Sequence, residues 1–228
     1  MASTEMASTE MAGTYRSRPV FVRFYARVSL VMDQAGAGGH RDRLLAGLSG
    51  EVIEIGAGNG LNFAHYPAQV TRVLAVEPEP RLRALALSNA RTAPVPVEVI
   101  DGVAERIPAA DSSFDAAIAC LMLCSVPDQA AVLAELHRVL RPGGQLHFFE
   151  HVGAGTAGMR RVQHVLDATV WPTLFGGCHT GRDTAAAITS AGFTIDWLEQ
   201  FAFPQTRLPS PASAHILGTA TRAGDHRD

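Results

Sequence analysis

Several shortages in this 228-residue sequence each remove a class of function. Only three cysteines occur, Cys120, Cys124 and Cys178. They are too few and too irregularly spaced for a disulfide framework or a zinc site, so no metal is expected and a reducing, cytoplasmic setting is. Basic residues are not in excess: 19 Lys and Arg stand against 22 Asp and Glu, a formal net charge of -3. That balance argues against a polyanion-binding face, and nucleic acid is not an expected partner. No uninterrupted apolar run is long enough to span a bilayer, and no basic segment followed by an apolar core opens the chain. With 47% hydrophobic and 18% charged residues, what remains is one soluble domain with a large core. Oligomeric state is left open.

The first ten residues are Met-Ala-Ser-Thr-Glu twice over, followed by Met11. Residues 1–15 are expected to be a disordered lead, with Met1, Met6 or Met11 as the start. Two helices are expected over 16–50. Phe21, Phe24, Tyr25, Val28, Val31 and Met32 recur at three- and four-residue intervals, a Gly-rich break covers 36–39, and a second helix over 40–48 stops at Ser49-Gly50. From residue 51 to 222 the texture is short apolar runs (52–55, 72–76, 95–100, 114–120 and 145–149) with helices beginning near Asn62, Pro80, Ala104 and Asp128. Such alternation predicts an α/β fold, a doubly wound Rossmann-like and mostly parallel sheet. After a helix near 184–191, the runs 193–201 and 215–219 flank a Pro-rich loop with no helix between them, which predicts a hairpin. The sheet then has seven strands with one antiparallel, and 223–228 form a disordered tail.

The strongest local signal is Glu51-Val52-Ile53-Glu54-Ile55-Gly56-Ala57-Gly58-Asn59-Gly60, an apolar strand running into glycines at alternate positions. Such a turn lets a ligand approach bare backbone at the carboxyl ends of the strands. The dinucleotide fingerprint places its third glycine three residues after the second. Here that position is Leu61, which disfavours NAD and leaves a nicotinamide-dependent dehydrogenase as a minor alternative. The next strand ends Val76-Glu77-Pro78, placing a carboxylate where it can accept both hydrogen bonds of a ribose diol. Together these predict a nucleoside-binding site.

The alternating glycines after Glu54 resemble the first motif of the class I S-adenosylmethionine-dependent methyltransferases. The run from Gly102 through Val103, Ala104 and Glu105 to Pro108 resembles the family segment that faces adenine, with Val103 where the family has Asp. The runs 114–120 and 136–144 resemble its fourth strand and the helix and turn leading into its fifth. The resemblance implies S-adenosylmethionine as cofactor. It implies that Glu54, Gly56, Gly58, Asn59, Gly60, Glu77, Pro78, Val103, Ala104, Glu105, Cys120 and Leu121 hold it, with the backbone near Cys120 against the methionine part. A narrower likeness lies in Leu123-Cys124-Ser125-Val126, Glu150-His151-Val152, Val165-Leu166-Asp167 and Phe175-Gly176-Gly177-Cys178. These are similar to the alkyl thiol methyltransferases of mammals and their bacterial relatives, over about residues 51 to 193 and without those proteins' membrane anchor.

A sulfonium methyl needs an in-line nucleophile, so the protein aligns, desolvates and, where needed, deprotonates the acceptor. His151 at the end of the fifth strand is a candidate base. Asp167 is the second, on a predicted helical face with Gln163 and Trp171, although Pro172 disfavours helix at Trp171. Phe21, Phe24, Tyr25 and Met32 would give an apolar lid. Cys120, Cys124 and Cys178 are expected to be packed rather than nucleophilic. The expected acceptor is a small hydrophobic molecule, with thiol sulfur favoured. Carbon or oxygen of a quinone or polyketide comes next and a lipid-headgroup nitrogen third, and a non-catalytic cofactor-binding module is the alternative of another class.

Overall fold

The computed structural model describes residues 19–205 and 210–224. The lead expected over 1–15 and residues 225–228 of the expected tail lie outside the described residues. Seven strands form one sheet: β1 (Gly50–Ile55), β2 (Val70–Val76), β3 (Val97–Ile100), β4 (Phe114–Cys120), β5 (Leu140–His151), β6 (Phe193–Ala202) and β7 (Ala214–Arg222). Their order is β3-β2-β1-β4-β5-β7-β6. β7 runs antiparallel to both neighbours, and the remaining pairings are parallel, as the doubly wound reading anticipates. The order reverses between β1 and β4, so the crevice beyond their carboxyl ends is where an open α/β sheet takes its ligand.

The near-continuous apolar runs follow from burial on both faces. Ile53, Ile55, Leu74, Val76, Ala117 and Ala119 look to one core, while Val52, Val73, Ala75, Ala116, Ile118 and Phe149 look to the other. Helices α1 (Pro19–Met32) and α2 (Gly38–Leu45) precede the sheet and are joined through a π-helical turn whose Gly36 has φ 118°. α3 (Pro80–Ala90) starts on a proline, which suits a first turn that has no amide partners to lose. α4 (Gln129–Val139) is capped by Asp128, whose side chain accepts the Ala131 amide. α5 (Ala157–Asp167), the one-turn α6 (Trp171–Leu174) and α7 (Thr184–Ser190) lie between β5 and β6.

Two expected helices are absent. The segment at Asn62 makes a single 3-10 turn, Phe63–His65, before Pro67 leads into β2. At Ala104 the chain turns back on itself, with the Arg106 amide bonded to the Val103 carbonyl and the Ile107 amide taken by Glu135. Only five residues separate Gly102 from Pro108, too few to repay helix nucleation. α1 is also rotated from the expected stripe: Val22 and Ser29 are buried, Tyr25 is half-buried, and Phe24 and Val31 face outward at 47% and 62% exposure. The seat under α1 is the Gly58 turn, which selects Tyr25 and Ser29 over the more apolar neighbours.

Candidate active site

Ile55 of β1 pairs with Val76 of β2, so the glycine turn and Glu77 leave the sheet side by side. Gly56, Gly58 and Gly60 have φ of 63°, 59° and 77°, a conformation costly for any residue with a Cβ. The Gly58 amide donates to Glu77 Oε2 at 2.7 Å, and the Glu79 amide to Oε1 at 2.9 Å. The buried carboxylate is thereby aimed along the turn, and each oxygen retains a second acceptor position. A Cβ at Gly60 would lie 2.6 Å from the Phe63 ring and 3.1 Å from Ala86, so this glycine serves the close seating of α3. At Gly58 it would lie 3.1 Å from the Tyr25 hydroxyl. Asn59 ties the turn to both flanking helices: its side chain donates to Ser29 and its carbonyl accepts from Asn89.

Beneath the turn is a buried polar cluster that the sequence reading met only at Glu54. That carboxylate accepts Asn62 Nδ2 at 2.8 Å and the Tyr66 hydroxyl at 2.7 Å. Arg41, from α2, donates Nη1 to Asn62 Oδ1 at 2.6 Å, approaches Cys120 Sγ at 3.4 Å, and donates Nε to Asp33 at 3.0 Å. Glu54, Arg41, Asn62, Cys120 and Leu121 line one cleft with the glycine turn. A guanidinium and a carboxylate lining the same small cleft suit a zwitterion, such as the amino-acid end of a ligand. The position of Asn62, two residues past the last glycine, was the available clue to its part. Nothing local marked Arg41, which the fold delivers from a different helix.

On the other side of the crevice, β4 ends at Cys120, and Leu121, which lines the cleft, takes φ 55°, unusual for a bulky side chain. The next three amides converge on one buried carboxylate. Met122 and Leu123 donate to Glu150 Oε1 at 3.0 and 2.8 Å, and Cys124 donates to Oε2 at 3.0 Å. Burial pushes Glu150 well above the ordinary carboxylate range, against these amides, which lower it. Arg182 holds the same loop from outside through the carbonyls of Leu123 and Val126. Glu150 and Arg182 were both missed as organisers, because their roles depend on partners some 26 to 59 residues away.

His151 follows Glu150 and faces Cys124 and Cys178, its Nδ1 lying 3.5 Å from one sulfur and 3.8 Å from the other. Burial works to lower His151, but the Cys124 contact and the Glu150 charge outweigh it and raise the imidazole. His215 packs 4.4 Å from its ring and is pushed down to about 3, chiefly by burial, so it adds bulk without charge.

Several expected residues have other duties. Both oxygens of Asp167 are engaged, Oδ1 with the Thr180 amide and hydroxyl and Oδ2 with the Gly181 amide, so it anchors this turn. Gln163 is fully buried and clasps loops, donating to the carbonyls of Val152, Thr180 and Pro211 and accepting from the Ala154 amide. The shared face breaks where α5 ends at Asp167, and Trp171 stacks on Phe175 at 4.0 Å from a separate turn. Of the lid residues, Phe21 and Tyr25 face inward. Phe21 lies against Gly176, Phe24 is half exposed against Phe175, and Met32 is half-buried at the end of α1. Val103, Ala104 and Glu105 form the turn after β3 beside Pro78, at the same end of the sheet as Glu77.

Residues 53–148 match the family described as "Methyltransferase domain". The chain is 40% identical over 183 residues to thiol S-methyltransferase TMT1B of Mus musculus, covering 78% of this chain and 74% of that protein. It is 33% identical over 214 residues to thiol S-methyltransferase TMT1A of Homo sapiens, covering 89% and 86%. A solved SAM-dependent methyltransferase from Thermotoga maritima shares the fold with a TM-score of 0.67 at 23% identity, covering 89% of this chain and 97% of that one. The chain belongs to the class I S-adenosylmethionine-dependent methyltransferases.

In this methyltransferase the cleft fits its cofactor. Glu77 has free acceptor positions that would suit the ribose diol, Arg41 and Glu54 would complement the carboxylate and ammonium of the methionine end, and Glu79 Oε2 is buried without a hydrogen-bond donor. Glu54 also gives the enzyme a pH signature. Burial pushes it from 4.5 up to about 7, against the Tyr66 and Asn62 hydrogen bonds. The folded chain therefore holds this proton more tightly than the unfolded one. The contribution to stability is full below pH about 4.5 and is lost as pH rises through about 7, a fall of about 3 kcal/mol for a shift of this size. Urea midpoints at pH 5 and pH 8 should show this decline in the wild type and a flatter profile in Glu54→Gln. Equal slopes in the two proteins would contradict it.

Proposed function

We propose that the methyl acceptor is a thiol sulfur on a small, hydrophobic molecule. The observation that carries this reading is identity of 33% to 40% to proteins named thiol S-methyltransferases, over 74% to 86% of their length. That span takes in the acceptor side of the sheet as well as the glycine turn.

The chemistry of the acceptor side is consistent with an easily ionised nucleophile. A free thiol near pKa ~8.5 already carries a few per cent of thiolate at neutral pH, so a single imidazole or a local positive field suffices. In this reading His151 is the residue that receives a proton, because both Asp167 oxygens are engaged in its turn. When bound, the cofactor supplies an electrophilic methyl on a sulfonium sulfur. The chain's part is to hold the amino-acid end at Arg41, Glu54 and Asn62, to hold the ribose at Glu77, and to fix the backbone at Cys120 and Leu121 against the reacting end. Phe21, Tyr25 and Trp171 give the acceptor an apolar cover that excludes water. Three free cysteines suit a reducing, cytoplasmic setting, and no described helix is long and apolar enough to cross a membrane.

Incubation with methyl-labelled cofactor and a panel of a hydrophobic thiol, a phenol and a hydroquinone should place the label on sulfur. Product only on oxygen or carbon would end the thiol reading. Tight cofactor binding with no turnover of any acceptor would make the protein a binding module.

A further inference from the structure

We propose that Cys124, His151 and Cys178 form a zinc site whose fourth position is open to the acceptor sulfur. Cys124 Sγ and Cys178 Sγ lie 3.8 Å apart, and His151 Nδ1 lies 3.5 and 3.8 Å from them. A tetrahedral ion with Zn–S near ~2.3 Å and Zn–N near ~2.05 Å sets its ligand atoms about 3.8 Å (S to S) and about 3.5 Å (S to N) apart. The three donors therefore already stand at the edges of such a tetrahedron. Sulfur, sulfur and imidazole nitrogen are a zinc set by softness, and Cys2His with a free position is a known composition of catalytic rather than structural zinc sites. Among the described residues the group has three members.

The surroundings are built to keep the donors there. Cys124 is pinned at both ends of its residue, its amide by Glu150 at 3.0 Å and its carbonyl by the His179 amide at 2.8 Å. His179 is the neighbour of Cys178, so one hydrogen bond fixes the two cysteine loops to each other. Gly176 and Gly177, at φ of 67° and 96°, allow the tight turn that points Cys178 inward. Trp171, on the one-turn helix that precedes this loop, has its Nε1 buried without a hydrogen-bond partner. Two thiolates and a neutral imidazole would cancel the charge of a divalent ion, as a buried site requires. Spacing along the chain could not reveal this, since 27 residues separate each cysteine from His151.

The site adjoins the cofactor cleft. Met122, two residues before Cys124, packs against Gly56 of the glycine turn, where a Cβ would lie 2.9 Å from it. Phe21 and Tyr25 of α1 cover both places, Phe21 over Gly176 and Tyr25 over Gly58. The metal site stands on this geometry alone, while the role of its fourth position rests on the thiol reading above. In that role the metal would replace the His151 imidazole as the means of ionising the acceptor: the thiol would lose its proton to water as its sulfur takes the open position. A sulfur lone pair then forms the bond to the methyl carbon as the methyl–sulfonium bond breaks, and that bond's electron pair returns to the cofactor sulfur. The products are a thioether, S-adenosylhomocysteine and the released proton.

The test is a Co2+ titration of the full chain, purified under reductant and stripped of metal. One equivalent should bind with a sulfur-to-cobalt charge-transfer band and tetrahedral ligand-field bands, and a hydrophobic thiol should shift those bands where a phenol does not. One equivalent of Zn2+ should displace the cobalt. Cys178→Ser should lose most of the charge-transfer intensity and weaken metal binding at least tenfold, with retained S-adenosylhomocysteine binding by calorimetry showing that it is folded. Absence of stoichiometric cobalt, or binding without a sulfur band, overturns the site. Stripped wild-type enzyme that methylates thiols at the full rate overturns the metal's role and leaves the thiol reading standing. The expected cobalt spectrum in an enzyme that methylates only oxygen supports the site and ends the thiol reading.

Discussion

Glu77→Ala should weaken S-adenosylmethionine or S-adenosylhomocysteine binding by about a hundredfold or more, with the fold retained. The carboxylate accepts the Gly58 and Glu79 amides at 2.7 and 2.9 Å, so it shapes the glycine turn, and in the proposed binding mode it would also take the ribose. Hydrogen bonds to a charged group contribute about 1.5–3 kcal/mol each, and about 2.7 kcal/mol is a hundredfold in Kd. Without it the turn loses its template and the ribose loses its acceptor together. The two amides lie outside the strand pairings, so the sheet itself should persist by far-UV circular dichroism. Glu77→Gln should be milder, since its carbonyl oxygen keeps one of the amides while its NH2 opposes the other. Calorimetric titration gives the comparison, and an Ala variant that binds like wild type would remove Glu77 from the cofactor site.

Glu150→Ala is expected to have the larger effect on stability. It would leave the amides of Met122, Leu123 and Cys124 without their acceptor in a place where Glu150 is completely buried. Each stranded donor costs about 1–3 kcal/mol, and relief of the desolvation that raises Glu150 returns part of this. A net loss of about 3–5 kcal/mol corresponds to a fall in Tm of about 6–20 °C for a chain of this size. The cleft loop would loosen with it, so methyl transfer should fall more than cofactor binding does. Glu150→Gln should lie between, because a neutral carbonyl can serve Met122 and Leu123 while the amide nitrogen faces the Cys124 N–H. Thermal unfolding of both variants decides the matter, and an Ala variant within about 1 kcal/mol of wild type would mean that water replaces the carboxylate.

These two glutamates differ in how visible they are. The place of Glu77 beside the glycines could be read from the chain because it is set by strand periodicity: it follows the next apolar strand after the glycines, and parallel pairing brings the two ends together. Glu150 stood in a recognisable segment, yet its partners lie 26 to 28 residues upstream on another strand's exit loop. The same divide separates Glu54 from Arg41. One sits on β1 beside the motif, and the other arrives from α2 and joins it through Asn62.

Local pattern alone determined the sheet, its hairpin and the glycine turn, because strand alternation, turn chemistry and motif spacing are short-range properties of the chain. Tertiary structure alone decided that Asp167 and Gln163 brace loops, which face of α1 turns inward, and that two cysteines and a histidine, each pair of neighbours 27 residues apart, meet within 3.8 Å. Those outcomes depend on which buried polar groups find partners once the segments pack, and a one-dimensional pattern does not record that.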